Sequence, residues 1–336
     1  MGRQKSSLDL VNEADRFPDP ATDPAAYEAA TQHLYTWVLN HGDDAIPVGY
    51  LLPSVLEQLV AVPESVRGKI EVDSRSRTVA LAAGSVGDDQ SDQITNVINY
   101  WRKHRVFSIL DTWRNEPWPV YSSALEVAHN IERSACGLFG VNRYGVHLTA
   151  FVRSDTSSHG LKIWVPTRSP TKQTFPGMLD NTVAGGLMSG EDPLECVIRE
   201  ADEEASLPET LVRASAVPSG TVSYIYITDE RSGGEKGLIY PECQWVYDLE
   251  LPSDVVPIPK DGEVESFDLY TVEEVWDQLG RGRFKPNCAL VMLDFFIRHG
   301  IMTKEFEADF EQIHRRIHRP LPFPGPHMSA DAKLTD

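Results

Sequence analysis

Cysteine is scarce in this sequence, with only Cys136, Cys196, Cys243 and Cys288, widely separated and without a C-x-x-C pair. That spacing excludes a dense disulfide framework and suits a reducing compartment. Basic residues are in deficit, 31 Lys+Arg against 50 Asp+Glu for a formal charge of -19. Such a balance opposes polyanions and leaves no electrostatic footprint for nucleic acid, so a small anionic substrate has to be recruited through a metal ion. No apolar run approaches the roughly 18 residues of a membrane span, and the polar N-terminus lacks the hydrophobic region of a secretory signal. A soluble, cytoplasmic protein without a membrane partner is expected. Met1-Gly2 followed by Ser6 fits a short myristoylation pattern, whose single acyl chain would anchor only weakly. What the chain does have is length: 336 residues with 41% hydrophobic content suffice for a sizeable core and predict two domains.

The most informative stretch is Gly185 to Leu207, GGLMSGEDPLECVIREADEEASL. Asp192, Pro193 and Glu195 make a helix start, in which a carboxylate caps free N–H groups and proline occupies the first turn. Leu194, Val197, Ile198, Ala201 and Ala205 recur at helical spacing as one apolar stripe, and Pro208 stops the helix. At about 100° per residue, Glu200, Glu203 and Glu204 share one arc beside that stripe. Like charges so placed destabilise a helix by a few tenths of a kcal/mol per pair. Arg199 is the only basic residue between Glu191 and Glu209 to offset them. A divalent cation would remove the conflict, and an all-oxygen donor set suits magnesium or manganese. The plainer reading, a solvated acidic face, does not explain why the cluster is in register with a glycine turn and a helix cap.

Gly185, five residues, Glu191, seven residues, then Arg199-Glu200-Ala201-Asp202-Glu203-Glu204 resembles the Nudix box. By that resemblance Glu200, Glu203 and Glu204 are metal ligands, and Glu203 and Glu204 also serve catalysis. Glu191 and Arg199 brace helix and loop, and Gly185 lets backbone approach metal or phosphate. Ser206 departs from the family's usual glycine, so the loop leaving the helix is expected to lose an easy left-handed residue. The resemblance implies Mg2+ or Mn2+ as cofactor and cleavage of a diphosphate bond. The alternation of strands and helices from Tyr144 onward agrees with the implied fold, an α+β or α/β/α sandwich on a mixed sheet, preceded here by a smaller α+β N-terminal domain.

The organisation expected is an extended arm over 1–25, rich in proline, an N-terminal α+β domain over 26–140, the Nudix domain over 141–300, and a C-terminal helix and tail over 301–336. Tyr27–Leu39 reads as a helix, Gly84–Asp92 as a loop, and Asn287–Arg298 as a helix capped by Asn287. The run Lys172–Gly186, together with Phe107–Tyr121 and Phe284–Leu290, resembles a thiamine-pyrophosphokinase-related branch of Nudix proteins found in fungi and plants with an extra N-terminal domain. That branch implies thiamine diphosphate or an oxidised or damaged analogue as substrate, released as monophosphate and phosphate. Arg168 and Lys172 are candidates for the outer phosphate, against the commoner outcome of exposed loop charges. Trp113 and Trp118, with Tyr121, could stack on a heterocycle, against the commoner outcome of core packing. Glu263 and Glu265 are possible bases outside the box, and His147 reads as a strand residue. The competing functions are a Nudix hydrolase of ADP-ribose or NADH, an isomerase like that of isopentenyl diphosphate, and a non-catalytic binding module.

Overall fold

The computed structural model describes residues 4–40, 45–81 and 88–331. Gly2 and part of the predicted 84–92 loop lie outside them, and within that stretch Asp88 already begins a helix. The order opens with α1 (Ser7–Ala14) and α2 (Pro24–Thr31), then β1 (Tyr35–Leu39), β2 (Ile46–Leu51), α3 (Pro53–Ala61), α4 (Glu64–Arg67), β3 (Ile70–Asp73), β4 (Thr78–Leu81) and α5 (Asp88–His104). A 3-10 turn (Ser108–Thr112) leads to the hairpin β5 (Pro117–Tyr121) and β6 (Val127–Glu132), then α6 (Cys136–Phe139). The second half runs β7 (Arg143–Arg153), β8 (Leu161–Arg168), β9 (Val183–Gly186), α7 (Pro193–Ala205), α8 (Glu209–Ser215), β10 (Ala216–Ile227), β11 (Ile239–Glu250), β12 (Val264–Thr271), α9 (Val272–Gly280), α10 (Pro286–Arg298), α11 (Phe310–Ile317) and α12 (His327–Asp331).

The first half builds a four-stranded sheet in the order β2-β1-β4-β3, with β1 and β4 parallel. The second builds the larger sheet β10-β11-β7-β8-β12, with β9 pairing β7 off that path. Only the β11–β7 pairing is parallel, so the sheet is mixed, as expected for the Nudix fold. β7 is buried along nearly all its length, which leaves both faces covered. Tyr144, Val146, Leu148, Ala150 and Val152 alternate onto the face packed against α7. Phe151 points to the other core, where α10 and the N-terminal half meet in one continuous cluster that includes Trp37, Trp101, Leu138, Leu290 and Phe295. The smaller N-terminal α+β unit and the sandwich therefore share a core.

Four elements differ from the sequence reading, the smallest being α10, which begins at Pro286 with Lys285 and not Asn287 at its N-cap. The arm is not extended: Ser6 caps α1 through a reciprocal box with Asp9, and Leu10, Val11 and Ala14 are buried. Asp15 at its end, 2% exposed, accepts from Arg316 Nε at 3.0 Å and Arg319 Nη1 at 2.7 Å. Nor are the residues after Pro320 a loose tail, since Phe323 is buried and its carbonyl accepts from Asn142. These contacts join positions 181 to 304 residues apart, which no local pattern encodes. Finally, Tyr35–Leu39 is a strand because β2 and β4 offer it backbone partners on both sides, and only Pro24–Thr31 stays helical.

Candidate active site

Helix α7 starts as its residues dictate. Asp192 accepts from Leu194 N at 2.8 Å and Glu195 N at 3.4 Å, with Pro193 in the first turn. Glu195 does not close a capping box but pairs with Arg213 at 2.6 and 2.8 Å. At the other end Ser206 does adopt the left-handed conformation, φ 53°, despite its Cβ. Its hydroxyl donates to Ile258 O at 2.9 Å and Ile258 N donates to Ala205 O, so tertiary hydrogen bonds hold the turn that glycine would reach unaided.

The three glutamates of α7 lie at graded depth. Glu203 is exposed, Glu200 half-buried, and Glu204 only 9% exposed, where it accepts from Ala184 N at 3.0 Å. Burial raises the Glu204 carboxyl well above its usual range, and the neighbouring charge of Glu200 pushes in the same direction. Burial raises Glu200 as well, against the opposing pull of Arg199. Arg199 donates to Glu191 Oε1 at 2.8 Å, Glu200 Oε1 at 2.8 Å and Glu203 Oε2 at 3.2 Å. Glu191 in turn accepts from Met188 N at 3.1 Å, which ties the loop to the helix.

Facing the helix are β9 and the start of β7, paired Gly145 with Gly186 and Val146 with Gly185. A Cβ on Gly185 would lie 2.1 Å from Glu200 Cδ and Oε1, so the missing side chain is what lets the Glu200 carboxyl lie on the strand. These groups fit a divalent cation. Two carboxylates held in a site that penalises their charge, with a third at its mouth, form an all-oxygen set of the kind hard ions take.

The cleft beside α7 has a volume of about 300 Å³ and brings residues together from both halves of the chain. Of the sequence candidates, Gly185, Arg199, Glu200, Glu203, Glu204, Arg168, Lys172, Trp118, His147 and Glu263 line it, whereas Trp113, Tyr121, Glu191 and Glu265 do not. Arg168 is buried and fully engaged, with Asp180 Oδ2 at 2.6 Å, Thr174 O at 2.9 Å and Phe175 O at 3.1 Å. Its geometry shapes the loop before β9. Lys172 forms an ion pair with Glu263, and this contact outweighs burial to hold the Glu263 carboxyl below its usual range. Trp118 is 1% exposed behind Gly186, with Arg133 and Arg143 over its ring at 5.3 and 5.8 Å. Trp113 packs on the core beneath Arg102, 4.4 Å from its ring centroid. Neither indole presents an open face to the cleft.

Sequence reasoning did not single out Arg114, Arg133, Arg143, Glu242, Lys285 or Asn287, all of which line the cleft. They are scattered over some 170 positions in strands, loops, a 3-10 turn and the start of α10 without a shared pattern; Arg114 and Lys285-Pro286-Asn287 fell in runs already noted, Asn287 only as a helix cap. A second polar cluster lies just behind. The ligand atoms of His147, Asp180 and Cys288 all lie within 4.8 Å of one another, a set that could hold a metal ion. Asp180 there already accepts from Arg168 and from Cys288 Sγ at 2.6 Å, and His147 shares a 2.7 Å hydrogen bond with Asn181. With Arg168 in contact, the cluster works as a closed hydrogen-bond network that supports the cleft.

A mixed-sheet sandwich in which a glycine-lined strand receives the carboxylates of one helix defines the class, a Nudix domain. Residues 144–288 match the family model of the NUDIX domain, and residues 43–143 that of a domain of unknown function, DUF4743. The chain carries a NUDIX domain over residues 144–288. It is 34% identical over 323 residues to an uncharacterized protein of Saccharomyces cerevisiae, covering 95% of this chain and 92% of that one. It is 41% identical to Nudix hydrolase 20, chloroplastic, and 38% to Nudix hydrolase 24, chloroplastic, of Arabidopsis thaliana, each over 61% of this chain. The chain spans about half the length of these two plant relatives, 52% and 53%. Among solved structures, a Deinococcus radiodurans protein aligns over 61% of this chain and 100% of its own at 24% identity, with a TM-score of 0.36.

Proposed function

We propose that the chain is a divalent-metal-dependent diphosphatase that cleaves a small organic diphosphate to a monophosphate and phosphate. The observation that carries this reading is the pair Glu200 and Glu204, carboxylates set against the β9 glycines where burial raises both above their usual range. A magnesium or manganese ion there would neutralise the charge developing on the phosphate oxygens as the bond breaks. Glu200, Glu203 and Glu204 would hold it. Arg199, which bridges Glu191, Glu200 and Glu203, keeps these carboxylates apart and correctly turned. Glu203, exposed at the mouth, takes the proton of the attacking water, while the Lys172–Glu263 pair closes the opposite rim.

The substrate we infer is thiamine diphosphate or an oxidised or damaged analogue. The support is the resemblance of Lys172–Gly186 to the thiamine-pyrophosphokinase-related branch, a run whose two ends, Lys172 to Thr174 and Ala184 to Gly186, line the cleft. The isomerase alternative needs a thiol acid facing a substrate carbon. All four thiols are buried, and the Cys288 thiol, bonded to Asp180, is pushed far up by burial. Phosphate release from thiamine diphosphate, its oxidised analogues, ADP-ribose and NADH, with and without magnesium, tests the reading. Magnesium-dependent release that is fastest from the thiamine-type compounds supports it, and release from none of them overturns it.

A further inference from the structure

The cleft beside α7 opens into a second cavity, of about 250 Å³, that the phosphate chemistry leaves unused. Its walls come from both halves of the chain: Ile109 and Thr112 from the 3-10 turn, Phe175 from the loop before β9, Tyr226 from β10 and Gly234 from the β10–β11 hairpin. The turn is fixed in place. Glu235 of the hairpin accepts from Ser108 N at 2.5 Å and Ile109 N at 3.1 Å, and a Cβ on Gly234 would lie 2.8 Å from that of Ile109. A cavity held this way is preformed, and binding need not organise it.

Charge at the junction of the two cavities is unusual for so acidic a chain. Arg114 and Lys285 line both. Arg133 and Arg143, which also line both, are paired with Glu116 at 2.7 Å and Glu242 at 3.3 Å, but neither Arg114 nor Lys285 has a side-chain ion pair among the described residues. Against burial, Lys285 helps to hold the Asp180 carboxyl low and Arg114 acts likewise on Glu263, but neither is tied up in a direct ion pair among the described residues, and the two, one from each domain, line both cavities where they meet.

We propose that the second cavity receives the organic group of the substrate as one or two small planar rings, and that Arg114 and Lys285 hold the phosphate joining those rings to the group presented to α7. The assignment of that second group rests on the diphosphatase reading, whereas the ring cavity and its cations stand on their own geometry. Phe175 and Tyr226 add aromatic surface to the wall, each with an arginine on its ring, Arg231 at 5.9 Å and Arg16 at 5.7 Å, so ring edges are what they offer a bound group. The volume, about 250 Å³, lies just below the usual range of roughly 300–1,000 Å³ and suits a small ring group. The N-terminal domain thereby acquires a role, supplying Ile109, Thr112 and Arg114 to select the leaving group.

The test is calorimetric binding in chelator, where hydrolysis cannot contribute, of thiamine monophosphate and of methyl phosphate to the full chain. Thiamine monophosphate is expected to bind and methyl phosphate to bind far more weakly. Lys285→Gln and Arg114→Gln should each weaken thiamine monophosphate by roughly tenfold, the scale of one charge-assisted contact. Ile109→Trp should abolish its binding at an unchanged melting temperature. Should that variant not fold, Thr112→Gln narrows the same cavity from a less buried wall and should weaken binding too. Equal binding of both phosphates, or full binding by the folded cavity variant, overturns the proposal. A chain that binds thiamine monophosphate in this pattern yet releases phosphate from no diphosphate sinks the diphosphatase reading alone. One that hydrolyses diphosphates with binding indifferent to these changes sinks this proposal alone.

Discussion

Replacing Gly185 by alanine places one methyl group where the Glu200 carboxyl now lies. The added Cβ would sit 2.1 Å from Glu200 Cδ and Oε1 and 2.3 Å from Cγ. Carbon atoms in contact rest about 3.5 Å apart or more, so the carboxyl or the strand has to move by over an ångström. Gly185 is not in the left-handed region, so alanine adds no backbone strain and the whole effect is this displacement. Overpacking of this kind costs about 1–3 kcal/mol of stability. The functional cost is of the same size in free energy, about 2.7 kcal/mol, because a misplacement of about 1 Å in a reacting constellation lowers rate by about a hundredfold. Magnesium-dependent phosphate release should therefore fall by about that factor while the protein stays folded, as judged by its denaturation midpoint. Shortening the partner in the double variant Gly185→Ala, Glu200→Asp should relieve the stability loss without restoring the rate. Near-native turnover by the alanine variant would show that Glu200 need not lie on the strand, and would refute the role given to this contact.

Glu204→Gln keeps an acceptor for Ala184 N but removes a buried charge, so hydrolysis should drop by about a hundredfold or more. Because the native carboxyl is raised above its unfolded value, the folded state binds the extra proton and stability falls as pH rises past the unfolded value. In chelator at neutral pH the glutamine variant should then melt higher than the unmodified chain, and a lower midpoint would argue against a penalised charge. Arg168→Met leaves Asp180 buried without its main partner and should cost about 3–5 kcal/mol, partly recovered by adding Asp180→Asn, with KM little changed. A raised KM at unchanged stability would instead mark Arg168 as a phosphate contact. His129 is 2% exposed with no hydrogen-bond partner on either ring nitrogen among the described residues, and burial lowers it from 6.5 to about 4. The unfolded chain binds the proton first, so stability should fall as pH drops from 6.5 towards 4, by about 3 kcal/mol at the end of that window. His129→Phe should remove that loss in acid melting curves, and an unchanged profile would exclude His129 as its source.

Helix α7 could be read almost residue by residue, because its information is local. A cap, a proline and an apolar stripe act within four positions of one another, and α9 opens with the reciprocal box of Thr271 and Glu274 for the same reason. The clustering of Glu200, Glu203 and Glu204 needed only helical geometry, and the glycine that meets them stands within one short motif. What the tertiary structure alone decided has its partners far away in sequence. Arg168 and Lys172 had the right charge for a phosphate, but Asp180 and Glu263 claim them. Trp118 had the right ring for stacking, yet it sits behind Gly186 with almost no exposed surface. Conversely, Arg114 and Lys285 lay in runs noted for their resemblance but carried no sign of a shared role, and they line one cleft only because α10 and the N-terminal half pack into one core. Whether a charged or aromatic side chain is free to bind depends on its neighbours in space. A linear pattern states which groups are present, and packing decides which of them are already taken.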